Sequence, residues 1–224
     1  MKSIFSDKAS LVLRHLLATP EEEWVVRDFS DELKVARGGA AQVLAQLRKK
    51  GYLKGEARGR GASATLRHAS DLVHEWTQNY DFEQNRCHAY YTPDANILPS
   101  IKKFFSKASL KEDYALTLHT GANLITNYVR DNNAYLYLNP DHFKELSLEL
   151  RKNLDLKELK QGGNVYLIQP YYKKSAFFNM RQIKGYNVAS NLQLYLDLYH
   201  FPERGKEHAE YLLRTLKEKG EALA

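Results

Sequence analysis

Residues 34–68 read KVARGGAAQVLAQLRKKGYLKGEARGRGASATLRH. Ala40, Val43, Leu44 and Leu47 recur at helical spacing, which predicts a helix over about Arg37–Lys50 with these four turned inward. Gly51 follows where a helix ends in a left-handed residue. The opposite face carries Arg37, Gly38, Ala41, Gln42, Ala45, Gln46 and Lys49, which are small, amide or cationic side chains. Tyr52-Leu53 and Ala64-Thr65-Leu66-Arg67 are short strand-like runs on either side of a Gly-rich basic turn, the pattern of a β-hairpin.

The stretch is also where the charge lies. It holds nine Lys/Arg (Lys34, Arg37, Arg48, Lys49, Lys50, Lys54, Arg58, Arg60 and Arg67) against one acid, Glu56, for a local charge of +8. The whole chain carries +6, so the remainder sums to −2. A concentrated positive field suits a polyanion, because each cation set on a phosphate releases counterions.

Working outward, residues 6–18 form a predicted helix, with Ser6 placed to cap it and Ala9, Val12, Leu13, Leu16 and Leu17 on one face. Pro20 closes it, and Trp24-Val25-Val26 is a short β-type run. A second helix starts near Asp28, with Phe29 and Leu33 spaced i, i+4, and VARGG reads as the turn before the third helix. A further helix spans about Ser70–Asn79. Helix, helix, turn, helix, hairpin is the order of a winged helix-turn-helix, assigned to residues 1–80. In that fold Arg37, Gln42 and Gln46 would read base edges, since Arg and Gln make bidentate contacts to guanine and adenine. Lys34, Lys49, Lys54, Arg58, Arg60 and Arg67 would hold phosphates or enter the minor groove. The same fold can instead serve as a protein-docking module. Gly59–Ala64 loosely matches a dinucleotide fingerprint, but no apolar strand precedes it and no helix follows, so the phosphate-binding geometry is missing.

Residues 81–224 alternate helical and strand patterns. Helices are predicted over 92–105 from a Thr-Pro start, 120–129 from a Thr-Gly start, 140–152, 190–200 and 203–219. Strands are predicted over 114–119, 134–138, 164–169, 177–183 and 186–188, the last two joined at Lys184-Gly185. The fold class is therefore α/β in the α+β sense, with a mixed sheet.

In this second part GGNVYLIQPYY (162–172) and NVASNLQLYLDLYHFPERGKEHAEYL (187–212) resemble the AbiEi-like antitoxins and transcriptional regulators of bacterial type IV toxin–antitoxin systems. The resemblance covers nearly the whole chain. It implies a DNA-binding antitoxin that represses its own operon and counteracts a nucleotidyltransferase toxin without needing a stable complex. It also implies that residues 81–224 form a degenerate nucleotidyltransferase-like domain. A working enzyme of that fold holds metal through strand carboxylates after a Gly-Ser turn. Here Thr120-Gly121-Ala122-Asn123 stands at the turn, the strand Ala134–Leu138 carries no acid, and Asp131 and Asp141 only flank it. No nucleotidyl transfer is expected, and the alternative left open is a vestigial nucleotide pocket near Gly121. The expected partners are double-stranded operator DNA with inverted repeats, bound as a homodimer, and the cognate toxin. The alternative function is a C-terminal module that neutralises the toxin by binding protein or ligand, with DNA binding secondary.

Other chemistry is sparse. The eight His and the single Cys87 show no zinc-ligand spacing, and neither a GxSxG elbow nor a P-loop occurs, so no cofactor, metal or catalytic residue is expected. QPYYKKSAFFNMRQIKGY interleaves aromatic and basic residues; strand alternation assigns half the rings to the core. The alternative is an auxiliary nucleic-acid or partner surface made of Tyr171, Tyr172, Lys173, Lys174, Arg181 and Lys184. Leu192–Tyr199 is apolar enough to be core, or else an interface. No apolar run reaches the roughly 20 residues that span a bilayer and no signal segment precedes the fold, so the cytoplasm is the expected compartment and no membrane partner is expected.

Overall fold

The computed structural model describes residues 3–56, 62–106, 110–159 and 162–224. The chain divides between Tyr80 and Asp81 into two units.

The first unit runs α1 (Asp7–Ala18), α2 (Val26–Leu33), α3 (Arg37–Lys49), β1 (Leu53–Lys54), β2 (Thr65–Leu66) and α4 (Ala69–Thr77). Val12, Leu13 and Leu16 of α1, Phe29 of α2, Ala40, Leu44 and Leu47 of α3 and Leu72 and Trp76 of α4 make its core. On α1, α3 and α4 these residues recur about one helical turn apart, so each of the three buries one stripe, while α2 buries Phe29 alone.

Helix α2 begins at Val26, two residues before the expected start. The Asp28 carboxylate accepts from the Val25 N–H at 2.8 Å and so satisfies a first-turn donor. That cap converts Val25-Val26 from strand to helix entrance. Only Trp24 keeps the strand role, exchanging backbone hydrogen bonds with Ala64 at 2.9 and 2.8 Å. Lys34 closes α2 in the left-handed region, with φ 54°. Gly38 and Gly39, expected in the turn, lie in the first turn of α3. At the far end Gly51 adopts φ +82°, and the Gly51 and Tyr52 N–H groups donate to Arg48 and Leu47 carbonyls at 2.9 Å each. This doubly bonded cap turns the chain into β1. β1 and β2 pair antiparallel, Leu53 opposite Leu66 and Lys54 opposite Thr65.

The second unit contains β3 (Arg86–Tyr90), α5 (Ile97–Phe105), β4 (Tyr114–Leu116), α6 (Leu118–Thr126), β5 (Ala134–Leu138), α7 (Phe143–Asn153), β6 (Val165–Gln169), β7 (Arg181–Ile183), β8 (Tyr186–Val188), α8 (Asn191–Tyr199) and α9 (Gly205–Glu218). Its sheet has the order β3-β6-β5-β4-β8-β7. β5 lies parallel to β6 and antiparallel to β4, and β4 is parallel to β8, so the sheet is mixed. Every residue of β5 is buried, which is why that strand reads as an unbroken apolar run.

Several boundaries differ from expectation, and strand β3 is not among the expected strands. The helix predicted from Thr92-Pro93 starts only at Ile97. Asn164 binds the Thr92 backbone from both sides at 2.9 and 2.8 Å, and Thr92 and Asp94 side chains accept from the N–H groups two residues on. These local bonds hold 92–96 in turns that compete with helix. The strand expected to reach His119 stops at Leu116, and α6 begins at Leu118, so Thr120-Gly121 lies inside a helix. Phe177 ends a short 3-10 turn (Ser175–Phe177) instead of opening a strand.

Candidate nucleic-acid interface

Helix α3 is held from behind by Ala40, Val43, Leu44 and Leu47, all buried. Arg37, Gly38, Gly39, Ala41, Gln42, Ala45 and Lys49 are exposed on its other side, and Gln46 is half-buried. Among the described residues, the side chains of Gln42, Gln46, Lys49 and Lys54 make no hydrogen bond or ion pair, so their polar ends remain available to a partner. Arg37 is lightly tethered, its Nε donating to Ser30 Oγ at 3.3 Å. Lys34 donates to the Asp31 carbonyl at 2.9 Å from the turn before α3. Arg67 follows β2 and is exposed. Arg58 and Arg60 lie outside the described residues.

The glycines at the start of α3 have no internal reason to be glycine. A Cβ on Gly38 would meet nothing within 4 Å, and one on Gly39 only Val35 Cγ1 at 3.9 Å. Neither has the positive φ that excludes other residues.

Two cations of the basic stretch work inside the unit, which charge counting missed. Arg48 donates to the Glu56 carbonyl at 3.1 Å and to the Ser63 carbonyl, clamping the base of the hairpin. Lys50 pairs with Glu75 of α4 at 2.6 Å, and the Tyr52 hydroxyl donates to the same carboxylate at 2.8 Å. Although burial opposes it, these bonds hold the Glu75 carboxyl below its ordinary range. The acid that neutralises Lys50 lies beyond the counted window, so only tertiary structure reveals it.

In the second unit the two acids that flank β5 line different cavities. Asp131 faces a cavity of about 440 Å³ shared with His119, Arg130, Glu203 and Arg204. Asp141 faces a different one, of about 590 Å³, with Lys111, His142, Lys173 and Lys174. Among the described residues no three His, Cys, Asp or Glu side chains are grouped to hold a metal ion. Gly121 offers no opening either. A Cβ there would lie 2.7 Å from the Leu116 carbonyl oxygen and 2.8 Å from Leu194 Cδ2, so the space directly over Gly121 is filled by protein.

The buried acid that sequence reading missed is Asp197 on α8. It is fully buried and accepts from the Tyr137 hydroxyl at 2.9 Å, the Gln193 amide at 2.7 Å and the Thr117 hydroxyl. It ties α8 to the centre of the sheet. Leu192, Leu194, Leu196 and Leu198 are buried with it, so the apolar ladder is core.

The auxiliary basic–aromatic set is not one surface. Tyr171 is exposed, whereas Tyr172 is 1% exposed and cannot present its ring. Arg181 is committed to Glu221 at 2.9 Å and to Asn191. Lys184 sits at φ 53° in the tight β7–β8 turn, where its carbonyl accepts from Lys102 at 3.3 Å.

Compared with protein-family models, residues 65–217 match the model described as transcriptional regulator, AbiEi antitoxin, type IV TA system. The chain belongs to the AbiEi antitoxin family. No curated protein and no solved structure matches it. The AbiEi match runs from β2 to the last turn of α9, so it takes in the sheet, the Asp197 network and both closing helices. Helix α3, with the exposed side chains described above, lies before it. The AbiEi description is that of a transcriptional regulator and antitoxin. Among the described residues of this AbiEi family member, no helix is long and apolar enough to cross a membrane.

Proposed function

We propose that the chain is a DNA-binding repressor that autoregulates its own operon and serves as the antitoxin against a nucleotidyltransferase toxin. The observation that carries this reading is α3, packed by one apolar stripe and presenting a small, amide and cationic face of which the rest of the unit engages only Arg37 among the described residues. The two-stranded ladder, with Trp24 bridged to Ala64 beside it, fits the wing of a winged helix-turn-helix. In this reading Arg37, Gln42 and Gln46 contact base edges. Lys34, Lys49, Lys54, Arg58, Arg60 and Arg67 contact backbone or minor groove, and the protein binds inverted repeats as a homodimer. The second unit is read as a nucleotidyltransferase-like fold without its acids, acting in the cytoplasm.

Binding to the DNA upstream of the gene, titrated with salt, tests the reading. The expected result is a preference for that DNA over random duplex and a steep salt dependence; equal affinity for both would overturn operator reading. Arg37→Ala should relax discrimination at one base pair by about 1–3 kcal/mol. Arg60→Ala should weaken all duplexes alike and reduce the salt slope by about one.

The family match itself supports a second reading, because it lies almost wholly in the second unit. There the C-terminal unit neutralises the toxin through protein or ligand contacts. A full-length Arg37→Ala/Gln42→Ala variant separates the two: rescue from the toxin without operator binding favours the second.

A further inference from the structure

His119 of α6 and His208 of α9 are both buried, at 1% and 0% exposure. Their rings stack at 5.1 Å with 8° between planes, and Nδ1 faces Nδ1 at 2.8 Å. One of these nitrogens must donate and the other accept. The direction is set from outside the pair. His119 Nε2 lies 3.2 Å from the Glu203 carbonyl, which only accepts, so that nitrogen carries the proton and its Nδ1 is the acceptor. His208 therefore donates through Nδ1, and its Nε2 accepts from the Thr126 hydroxyl at 2.7 Å. The result is a one-way chain from Thr126 through His208 and His119 to the backbone at Glu203.

This chain tolerates one added proton. Thr126 Oγ1 also lies 2.9 Å from the Ala122 carbonyl, so its hydrogen can turn there while a protonated His208 Nε2 donates to the oxygen. A second proton cannot be placed, because it would set two N–H groups against each other at Nδ1. We propose that the His119–His208 pair is an acid-sensitive latch: neutral, it holds α9 on α6, and acid weakens that hold because the separated rings take up two protons where the closed pair has room for one.

The surroundings favour the neutral state. Burial, with His119 and Arg204 adjacent, pushes His208 down to about 4 from 6.5. Burial also lowers His119, with Arg204 in the same sense and Asp131 and Glu203 opposing. Arg130 lines the same cavity from the loop after α6, and Tyr128 closes on His208 from that loop at 5.8 Å. From the sheet, Tyr135 reaches the pair only through the Phe201 ring that it shares with His119. Asp197 of α8 is turned toward Thr117 and Tyr137. As pH falls, the unfolded chain takes up these protons first. The stability due to the pair is therefore complete above about pH 6.5 and is lost as pH falls toward about 4.

Nitrogen NMR of the imidazole rings in the full chain at pH 7.5 should show His119 protonated at Nε2 and His208 at Nδ1; any other pair of tautomers overturns the chain. Hydrogen exchange, corrected for intrinsic rate, should open α9 on the order of tenfold or more between pH 7 and 5, with α1 amides as the internal control. Unchanged α9 protection, or a folded His208→Gln variant as acid-sensitive as the parent, would sink the latch. The ring spectra of the unaltered protein decide the matter if that variant does not fold.

Discussion

Helix α3 of the first unit turns its polar side chains outward, whereas the second unit ties many of its own together inside. On α3, Gln42 and Lys49 reach solvent without a partner among the described residues, and the stripe that seats the helix, Ala40, Val43, Leu44 and Leu47, is apolar. In the second unit Thr117, Tyr137, Gln193 and Asp197 bond to one another in the middle of the fold, and His119 and His208 do so between two helices. An exposed polar face costs the fold little and serves only if something binds it. A buried network constrains the fold itself, since each member left unsatisfied costs desolvation.

That contrast can be broken by substitution. Asp197→Ala should produce the largest loss, about 3 kcal/mol or more, because three buried donors lose their acceptor; a chemical-denaturation curve for the second unit that moves by less than about 1 kcal/mol would show the network to be dispensable. Gly121→Ala comes next, at roughly 1–3 kcal/mol, because its Cβ collides with the Leu116 carbonyl and the Leu194 side chain. The smallest effect has the opposite sign. Gly38→Ala should stabilise the first unit by about 0.5–1 kcal/mol, since nothing obstructs the new methyl and glycine is a poor helix former. In the proposed DNA-binding reading the same change should weaken operator affinity, so thermal melting and DNA binding would move in opposite directions.

How legible each part was follows from the range of the interactions. The inner stripe of α3, its Gly51 stop, the apolar strand β5 and the Lys184-Gly185 turn are set by neighbours within a few residues, and periodicity or turn chemistry exposes them. The α2 start was misread because Trp24-Val25-Val26 has strand-forming side chains, while a single carboxylate at Asp28 decides the helix. Thr92-Pro93 carries a helix-start signal that Asn164, remote in sequence, overrides. The signals for Glu75 against Lys50 and for His119 against His208 are spread between distant helices, and no window contains both partners. On α3, sequence named the exposed residues, but only structure showed that Arg48 and Lys50 are spent on the hairpin and on α4.

The pairing of Trp24 with Ala64 also sets an order of assembly. Its two backbone hydrogen bonds close a loop that contains all of α2 and α3. Local helices can form before such a closure, whereas the closure has to wait for them, because its entropic cost is met only once the enclosed chain is compact. The amides of Trp24 and Ala64 are therefore expected to gain protection after the helices they enclose. Their protection should appear after that of Leu44 and Leu47 in a pulse-labelling experiment.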